Sequence, residues 1–176
     1  KLAYENDINI VIRGAGTNLV ASTVPEGGLV LDVSNLKEIG QIDEFNQSIE
    51  VGCGVKLCDL QNFVESKGWF YPPDPAEKEA TIGGNISTNA GGMRAVKYGV
   101  TRDYVRELEF VTPQGKVLKL GADTIKDSSG LNLKHLVIGS EGTLGVVTKA
   151  RLKLIPKHAY TQSALIAFTS LRKALD

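Results

Sequence analysis

Four glycines stand in two pairs within Thr81-Ile-Gly-Gly-Asn-Ile-Ser-Thr-Asn-Ala-Gly-Gly92, and this segment constrains the fold more than any other. Glycine loses more backbone freedom on folding than any other residue, so a plain core does not concentrate it. Such a cluster makes sense where backbone must lie directly against a flat or charged ligand. Asn85, Ser87, Thr88 and Asn89, between the pairs, supply donors and acceptors. The theme recurs in Arg13-Gly-Ala-Gly-Thr-Asn-Leu19 and in Glu141-Gly-Thr-Leu-Gly145. The chain holds 19 glycines in 176 residues, roughly 11% against about 7% in an average protein. They are clustered and not periodic, which excludes a collagen-like repeat or a flexible linker.

The first of these loops follows a short apolar run, Ile8 to Ile12, read as a buried strand. A strand feeding Gly14-Ala-Gly16 invites a dinucleotide-binding fingerprint, and Asp32 lies about 20 residues on, where a ribose-binding acid would sit. Two facts argue against it. Leu19 replaces the third glycine, and the stretch from Val20 to Gly28, with Pro25, Gly27 and Gly28, is too short and too broken for a crossover helix. The phosphate loop of nucleotide hydrolases fails as well, because no Gly-Lys-Ser/Thr follows. The loop still suits an anion. Glycines let consecutive amides point one way as a nest, Thr17 and Asn18 can donate from their side chains, and Arg13 adds charge. One loop for phosphate and two glycine-lined walls fit a large extended cofactor, its ring surrounded by residues such as Ile82, Val146 and Val147.

Further strands are expected at Leu29–Val33 and Ser48–Val51, with Leu36 and Ile39 in a short connection between them. Leu57, Leu60, Phe63 and Val64 have helical spacing within Val55–Lys67, closed by Gly68. Trp69 to Pro75 should break any regular element, because proline lacks an amide donor. Val105–Val111 and Lys116–Leu120, around Gly115, read as a hairpin. Ala150–Ile155 reads as a last strand, Ser163–Phe168 as a strand-like run, and Ser170–Leu175 as the start of a helix. Few strong helices separate the strands, so an α+β fold fits better than alternating βαβ units.

Lys plus Arg and Asp plus Glu each number 20, so the formal net charge is zero. No basic stripe stands out, which argues against nucleic acid as a partner. No apolar run approaches the ~20 residues of a membrane span. Cys53 and Cys58 lack the Cys-x-x-Cys spacing of redox or zinc pairs and read as packed thiols of a reducing compartment.

Taken in order, Arg13-Gly-Ala-Gly-Thr-Asn-Leu, Pro72-Pro-Asp-Pro, Thr81-Ile-Gly-Gly-Asn with Thr88-Asn-Ala-Gly-Gly, Tyr98-Gly and Ile138-Gly-Ser-Glu-Gly-Thr-Leu-Gly-Val-Val-Thr form a specific set. The set resembles the FAD-linked oxidase family with a PCMH-type FAD-binding domain (the vanillyl-alcohol oxidase class). It is most similar to the branch of glycolate oxidase D subunits and D-lactate dehydrogenases, over nearly all of residues 1–158. The resemblance implies two α+β subdomains, residues 1–54 and 55–158, with FAD between them, and a start of a substrate (cap) domain at 159–176. It implies that Arg13, Gly14, Ala15, Gly16, Thr17, Asn18 and Leu19 hold the pyrophosphate. Pro73 and Asp74 would line the cleft. Thr81, Gly83, Gly84, Asn85, Thr88, Asn89 and Gly91 would wrap the pyrophosphate, ribityl and ring region, and Glu141, Gly145 and Val147 would meet the adenosine half.

Some relatives tether FAD through histidine or cysteine. The first loop here carries Thr17-Asn18, and His135 and His158 lie outside the glycine motifs, so FAD is expected to be non-covalent. The implied reaction is hydride transfer from C2 of a small 2-hydroxy acid to flavin N5, giving the 2-oxo acid, with a further electron acceptor. No catalytic or metal-binding residue is assigned, because the family's substrate carboxylate and metal ligands belong to the cap, and the chain is read as truncated at both ends. The alternative reading is a non-catalytic flavin-binding or electron-transfer subunit. A cell-wall reductase relationship is disfavoured by the Pro-Pro-Asp-Pro motif. The expected location is the cytoplasm or the inner-membrane periphery.

Overall fold

The computed structural model describes residues 1–175. In chain order the elements are α1 (Leu2–Glu5), β1 (Ile10–Arg13), β2 (Leu29–Asp32), β3 (Ile39–Asp43), β4 (Ser48–Gly52), α2 (Leu57–Glu65), β5 (Trp69–Phe70), α3 (Ile82–Thr88) and α4 (Ala95–Tyr98). A 3-10 turn (Thr101–Asp103) leads into β6 (Val105–Val111), β7 (Val117–Gly121), α5 (Lys134–Val137), β8 (Val146–Lys153), β9 (Ile155–Pro156) and α6 (Leu171–Leu175). The mixture of helix and antiparallel sheet is the expected α+β class.

Alternation builds the main sheet. In β6, Leu108 and Phe110 are buried while Glu107 and Glu109 are only half-buried, as a period of two requires for a sheet with one covered face. β6 pairs with β7 and β8, and β8 with β4, giving the antiparallel order β3-β4-β8-β6-β7. The sheet's hydrogen bonds thus join residues on both sides of position 54. Leu57, Leu60, Gln61 and Val64, spaced i, i+3, i+4, i+7, put one stripe of α2 into the core with Ile49, Val51, Tyr71, Leu152 and Leu154. Each fully buried aliphatic side chain contributes on the order of 1.5–3 kcal/mol. Helix α2 ends as expected, with Gly68 at φ +81°.

One register shift decides which residues of β8 face the core. Glu109 pairs with Lys149 but Phe110 with Val147, so Thr148 is an extra residue in β8. A bulge exchanges the faces on either side of it. Val147 therefore shares the inner face with Ala150 and Leu152, although simple alternation would set it beside Lys149 and Arg151.

β1 and β2 form a separate two-stranded sheet and run parallel, Ile10 beside Leu29 through Arg13 beside Asp32. Their connection, residues 14–28, contains no helix. A parallel crossover was expected to need a helix; here an irregular loop makes it, and the absence of that helix separates the arrangement from the dinucleotide-binding βαβ fold.

Four local expectations are corrected. Ile39–Asp43 is the edge strand β3, not a simple connection. Trp69–Phe70 is a strand after all, because proline needs no amide where it stands opposite Trp69 in the β5–β9 pair. The glycine segment at 81 contains α3. Ser163–Phe168 has no strand partner among the described residues and is exposed, so no neighbouring strand or core selects an extended pairing there.

Candidate functional site

Helix α3 is pinned at its start by antiparallel contacts with residues 53–57: Ile82 N donates to Val55 O and Gly83 N to Cys53 O, both at 2.8 Å. A Cβ at Gly83 would come within 2.7 Å of Cys53 Cβ, so glycine permits this approach. The Thr81 hydroxyl caps the helix, accepting from Gly84 N at 3.3 Å. At the far end, Asn89 adopts a left-handed conformation, φ +48°. The segment after α5 closes over that end, with Gly139 N donating to Ile86 O at 3.0 Å and Glu141 N to Ser87 O at 2.8 Å.

The first loop then lies against this helix. A Cβ on Gly14 would overlap the Thr81 hydroxyl, and one on Gly142 would sit 3.2 Å from Ile12 Cδ1. Three segments far apart in sequence thereby enclose one cleft of about 240 Å³. Of the residues the motifs single out, Gly14, Ala15, Gly16, Thr17, Asn18, Thr81, Gly83, Gly84, Asn85, Thr88, Glu141, Gly145 and Val147 line it.

Six anticipated residues do not line it. Arg13 ends β1 and turns back toward its own loop, its Nε 2.9 Å from where a Gly16 Cβ would be. Leu19 is fully exposed. Pro73 and Asp74 are buried behind the wall, Pro73 O accepting from Gln61 Nε2 at 3.0 Å and Asp74 ion-paired to Lys78 and Arg94. Asn89 Oδ1 holds Arg102 N at 3.0 Å, which makes it a cap and not a lining group. Gly91 lies against Val100. Residues not foreseen take their place: Ile12, Ser22, Thr23, Val33, Pro75, Glu77, Ala80, Ser87, Ala90 and Gly142. Pro75 and Ala90 stand one residue from the anticipated Asp74, Asn89 and Gly91, so the motifs located these walls but not which residue faces in.

The electrostatics are specific. Among the described residues no lysine or arginine lines the cleft, and Glu77 and Glu141 do. Positive potential has to come from the loop amides, and among the described residues no acceptor takes a hydrogen bond from the amides of Ala15 to Leu19. Asn18 Oδ1 instead accepts from Val20 N at 2.7 Å and holds the loop's exit. Asn85 is only 4% exposed, and its Nδ2 has no hydrogen-bond partner among the described residues. An unpaired buried donor costs about 1–3 kcal/mol, so this amide is poised for an acceptor that the polypeptide does not provide. Open amides, a stranded amide donor and side-chain-free walls suit a ligand with phosphate oxygens and a flat ring.

A glycine-lined cleft between an antiparallel sheet and a parallel strand pair defines a cofactor-binding α+β domain. The family profile described as FAD binding domain matches residues 1–121, and the chain belongs to that family. FAD is its cofactor, and the unpaired Asn85 amide and the open loop amides fit that group. The chain is 47% identical over 176 residues to a D-lactate dehydrogenase of Anaerostipes hadrus, covering 99% of this chain and 37% of that protein. It is 48% identical over 175 residues to glycolate oxidase subunit GlcD of Bacillus subtilis (strain 168), covering 98% and 37%. An alkyldihydroxyacetonephosphate synthase structure superposes with a TM-score of 0.77 at 28% identity, over 88% of this chain and 30% of that one. The chain thus spans a little over a third of the length of the curated relatives it matches. No helix among the described residues is long and apolar enough to cross a membrane.

Proposed function

We propose that this chain holds FAD non-covalently in the cleft as part of an oxidoreductase that oxidises a small 2-hydroxy acid, of the glycolate or D-lactate type, to its 2-oxo acid. The observation that carries the reading is the convergence of Gly14–Asn18, Thr81–Thr88 and Glu141–Val147 on one cavity whose wall holds the unpartnered Asn85 amide. The amides of the first loop take the pyrophosphate, and Asn85 donates to a cofactor acceptor. Glu141, Gly145 and Val147 pack against the adenosine half. Bound flavin supplies the N5 position that accepts a hydride from C2 of the hydroxy acid. Residues 1–54 and 55–158 act as the two FAD-binding parts, and 159–176 leads toward the substrate domain. The electron acceptor is a separate partner, and the site of action is the cytoplasm or the membrane periphery.

The test is FAD titration of the purified chain, read by quenching of flavin fluorescence. One equivalent should bind, and Gly14→Val should abolish uptake. Unchanged uptake by Gly14→Val would place the flavin elsewhere. The activity is tested in the full-length enzyme that carries these residues: anaerobic addition of glycolate and of D- and L-lactate should bleach the visible flavin band with at least one of them.

A further inference from the structure

The turn before β8, which closes one side of the cleft, holds a residue with a side chain where glycine would fit better. Gly139, Gly142 and Gly145 all adopt positive φ, at +87°, +80° and +146°. Among them Glu141 stands at φ +53°, a left-handed conformation in which a Cβ crowds the following carbonyl. Glycine avoids that crowding, and asparagine, as at Asn89, tolerates it. Glutamate does neither. The position is also held from several directions: Glu141 N donates to Ser87 O at 2.8 Å, Gly139 N donates to Ile86 O at 3.0 Å, and Gly142 rests on Ile12. A strained backbone fixed in this way points to work for the side chain it carries.

Glu141 lines the cleft with one other acid, Glu77, and the two differ. Glu77 Oε1 accepts from Glu79 N at 2.9 Å. Among the described residues nothing donates to the Glu141 carboxylate; the turn's own bonds run from Thr143 N and Oγ1 to Ser140 O, at 3.0 and 2.7 Å. No cation among the described lining residues answers it either. A second group in the same cleft also points to a ligand, the buried and unpartnered Nδ2 of Asn85. Asn85 offers a donor there, whereas an ionised carboxylate only accepts. The phosphates of FAD are acceptors too, so Glu141 cannot pair with them. The donors of FAD are the two ribose hydroxyls and the amine of its adenosine, the ribityl hydroxyls and one flavin N–H. Of these, the vicinal ribose hydroxyls match the paired oxygens of a carboxylate, the contact that an acid makes in other dinucleotide sites. Ile12, against which Gly142 rests, and Val33 and Val147 line the same cleft and give apolar surface for the ring attached to that sugar.

We propose that Glu141 takes the 2′ and 3′ hydroxyls of the adenosine ribose and so makes the cleft select the flavin dinucleotide over the mononucleotide. This rests on the FAD reading and deepens it by naming the residue that sets cofactor specificity. The amides of the first loop attract any phosphate and do not sense what lies beyond it. Glu141 does: the dinucleotide offers it two hydroxyls, whereas the mononucleotide leaves it unpaired and adds the like charge of a terminal phosphate. Discrimination of this kind combines a contact to the right ligand with a penalty on the wrong one.

The experiment uses the full-length enzyme that carries these residues, stripped of flavin, and reads affinity by quenching of flavin fluorescence. Three probes are compared: FAD, FMN and FAD with a 2′-deoxyadenosine half. The wild type should bind the deoxy analogue roughly ten- to a hundredfold more weakly than FAD, the range for a lost hydrogen bond to a charged group. This arm does not depend on the folding of any variant. Glu141→Gly should weaken FAD by at least the same factor, bind FAD and the deoxy analogue alike, and leave FMN unchanged or tighter. Its thermal midpoint without flavin should stay level or rise, because glycine suits φ +53°. Glu141→Gln keeps one acceptor oxygen and should fall between. A deoxy analogue that binds the wild type within about twofold of FAD overturns the proposal, and so does a preference for FAD that persists in Glu141→Gly. Equal weakening of FMN and FAD in Glu141→Gly places the carboxylate on the ribityl chain and overturns it as well. In each of these cases normal FAD uptake by the wild type leaves the cofactor reading standing. Absence of FAD uptake by the wild type overturns that reading and the ribose contact with it.

Discussion

The five-stranded sheet and the parallel β1–β2 pair are stabilised in opposite ways. In the five-stranded sheet Ile49, Leu108 and Leu152 are completely buried, and α2 and α3 complete a core that the chain closes by itself. In the parallel pair every residue of β2 is exposed, and burial there is confined to Ala3 and Val33. What positions β1 and its loop is backbone pressed on side chain: Gly14 on Thr81, and Gly142 on Ile12. One half of the cleft is therefore a rigid wall, and the other is held by contacts that only glycine permits. Sites that must admit a large cofactor are drawn from the less stable parts of a fold, and this division follows that pattern.

The largest expected effect tests this contrast directly. Leu152→Ala removes a fully buried side chain from the centre of the main sheet and should cost about 2–5 kcal/mol in urea unfolding. Leu31→Ala, on exposed β2, should cost under about 1 kcal/mol. Equal losses would mean that β1 and β2 share in the main core, and the contrast would fail. Next in size is Gly14→Val, which forces a side chain into the Thr81 hydroxyl. Overpacking of this kind costs about 1–3 kcal/mol locally, and here it should appear as lost FAD uptake with the urea midpoint of the main sheet hardly moved.

Legibility did not follow this division: β1 and β2 of the open half and most of the closed half could be read from the sequence, but two elements of the closed half, β3 and α3, could not. Val105–Val111 alternates from Glu107 to Phe110 and α2 carries a clean apolar stripe, so pattern alone located them. Edge strand β3 escaped because Ile39-Gly-Gln-Ile-Asp offers only two apolar residues around a glycine and a register shift. Helix α3 escaped because Gly83 and Gly84 are poor helix formers; it forms because residues 53–57 hold its first turn, a long-range cause. The glycine motifs named the three walls of the cleft, since glycine reports close approach. They could not say that Asp74 turns away into an ion pair while Pro75 faces in. Nor could they show that the bulge at Thr148 turns Val147 inward. A signal for the first existed: Lys78 stands four residues after Asp74, close enough to claim its carboxylate.

Asn85 sharpens the comparison by separating stability from binding. Its Nδ2 is buried and unpaired in the protein alone, so Asn85→Ala removes a group that only a ligand satisfies. Stability without FAD should stay level or rise slightly. FAD affinity should fall about five- to tenfold, the worth of one ordinary hydrogen bond. A variant that unfolds more easily yet binds FAD normally would make Asn85 part of the wall's packing.

The smallest effect concerns the two thiols, which lie on opposite sides of the same division between closed core and open surface. Cys53 is fully buried behind Gly83, and burial, with Glu109 nearby, pushes its thiol well above the usual range. Cys58 is half-buried at the start of α2, its Sγ 3.4 Å from Glu79 Oε1. Desolvation first, then the hydrogen bond to Glu79, raises its pKa as well. The thiolate is the reactive species, so both should alkylate more slowly than a free cysteine at pH 8. The reasons differ, and so should the responses. Glu79→Gln removes a negative charge that opposes the thiolate and releases Lys56, whose ammonium pairs with Glu79 at 2.5 Å. Iodoacetamide should then modify Cys58 severalfold faster, with no measurable change in stability, because an exposed ion pair contributes little. Cys53 should remain unmodified in that variant and react only as the main sheet unfolds, so its labelling rate in rising urea should track the global transition. Labelling of Cys53 at low urea, ahead of that transition, would show that the wall behind α3 opens independently and that the closed half of the molecule is less rigid than its packing requires.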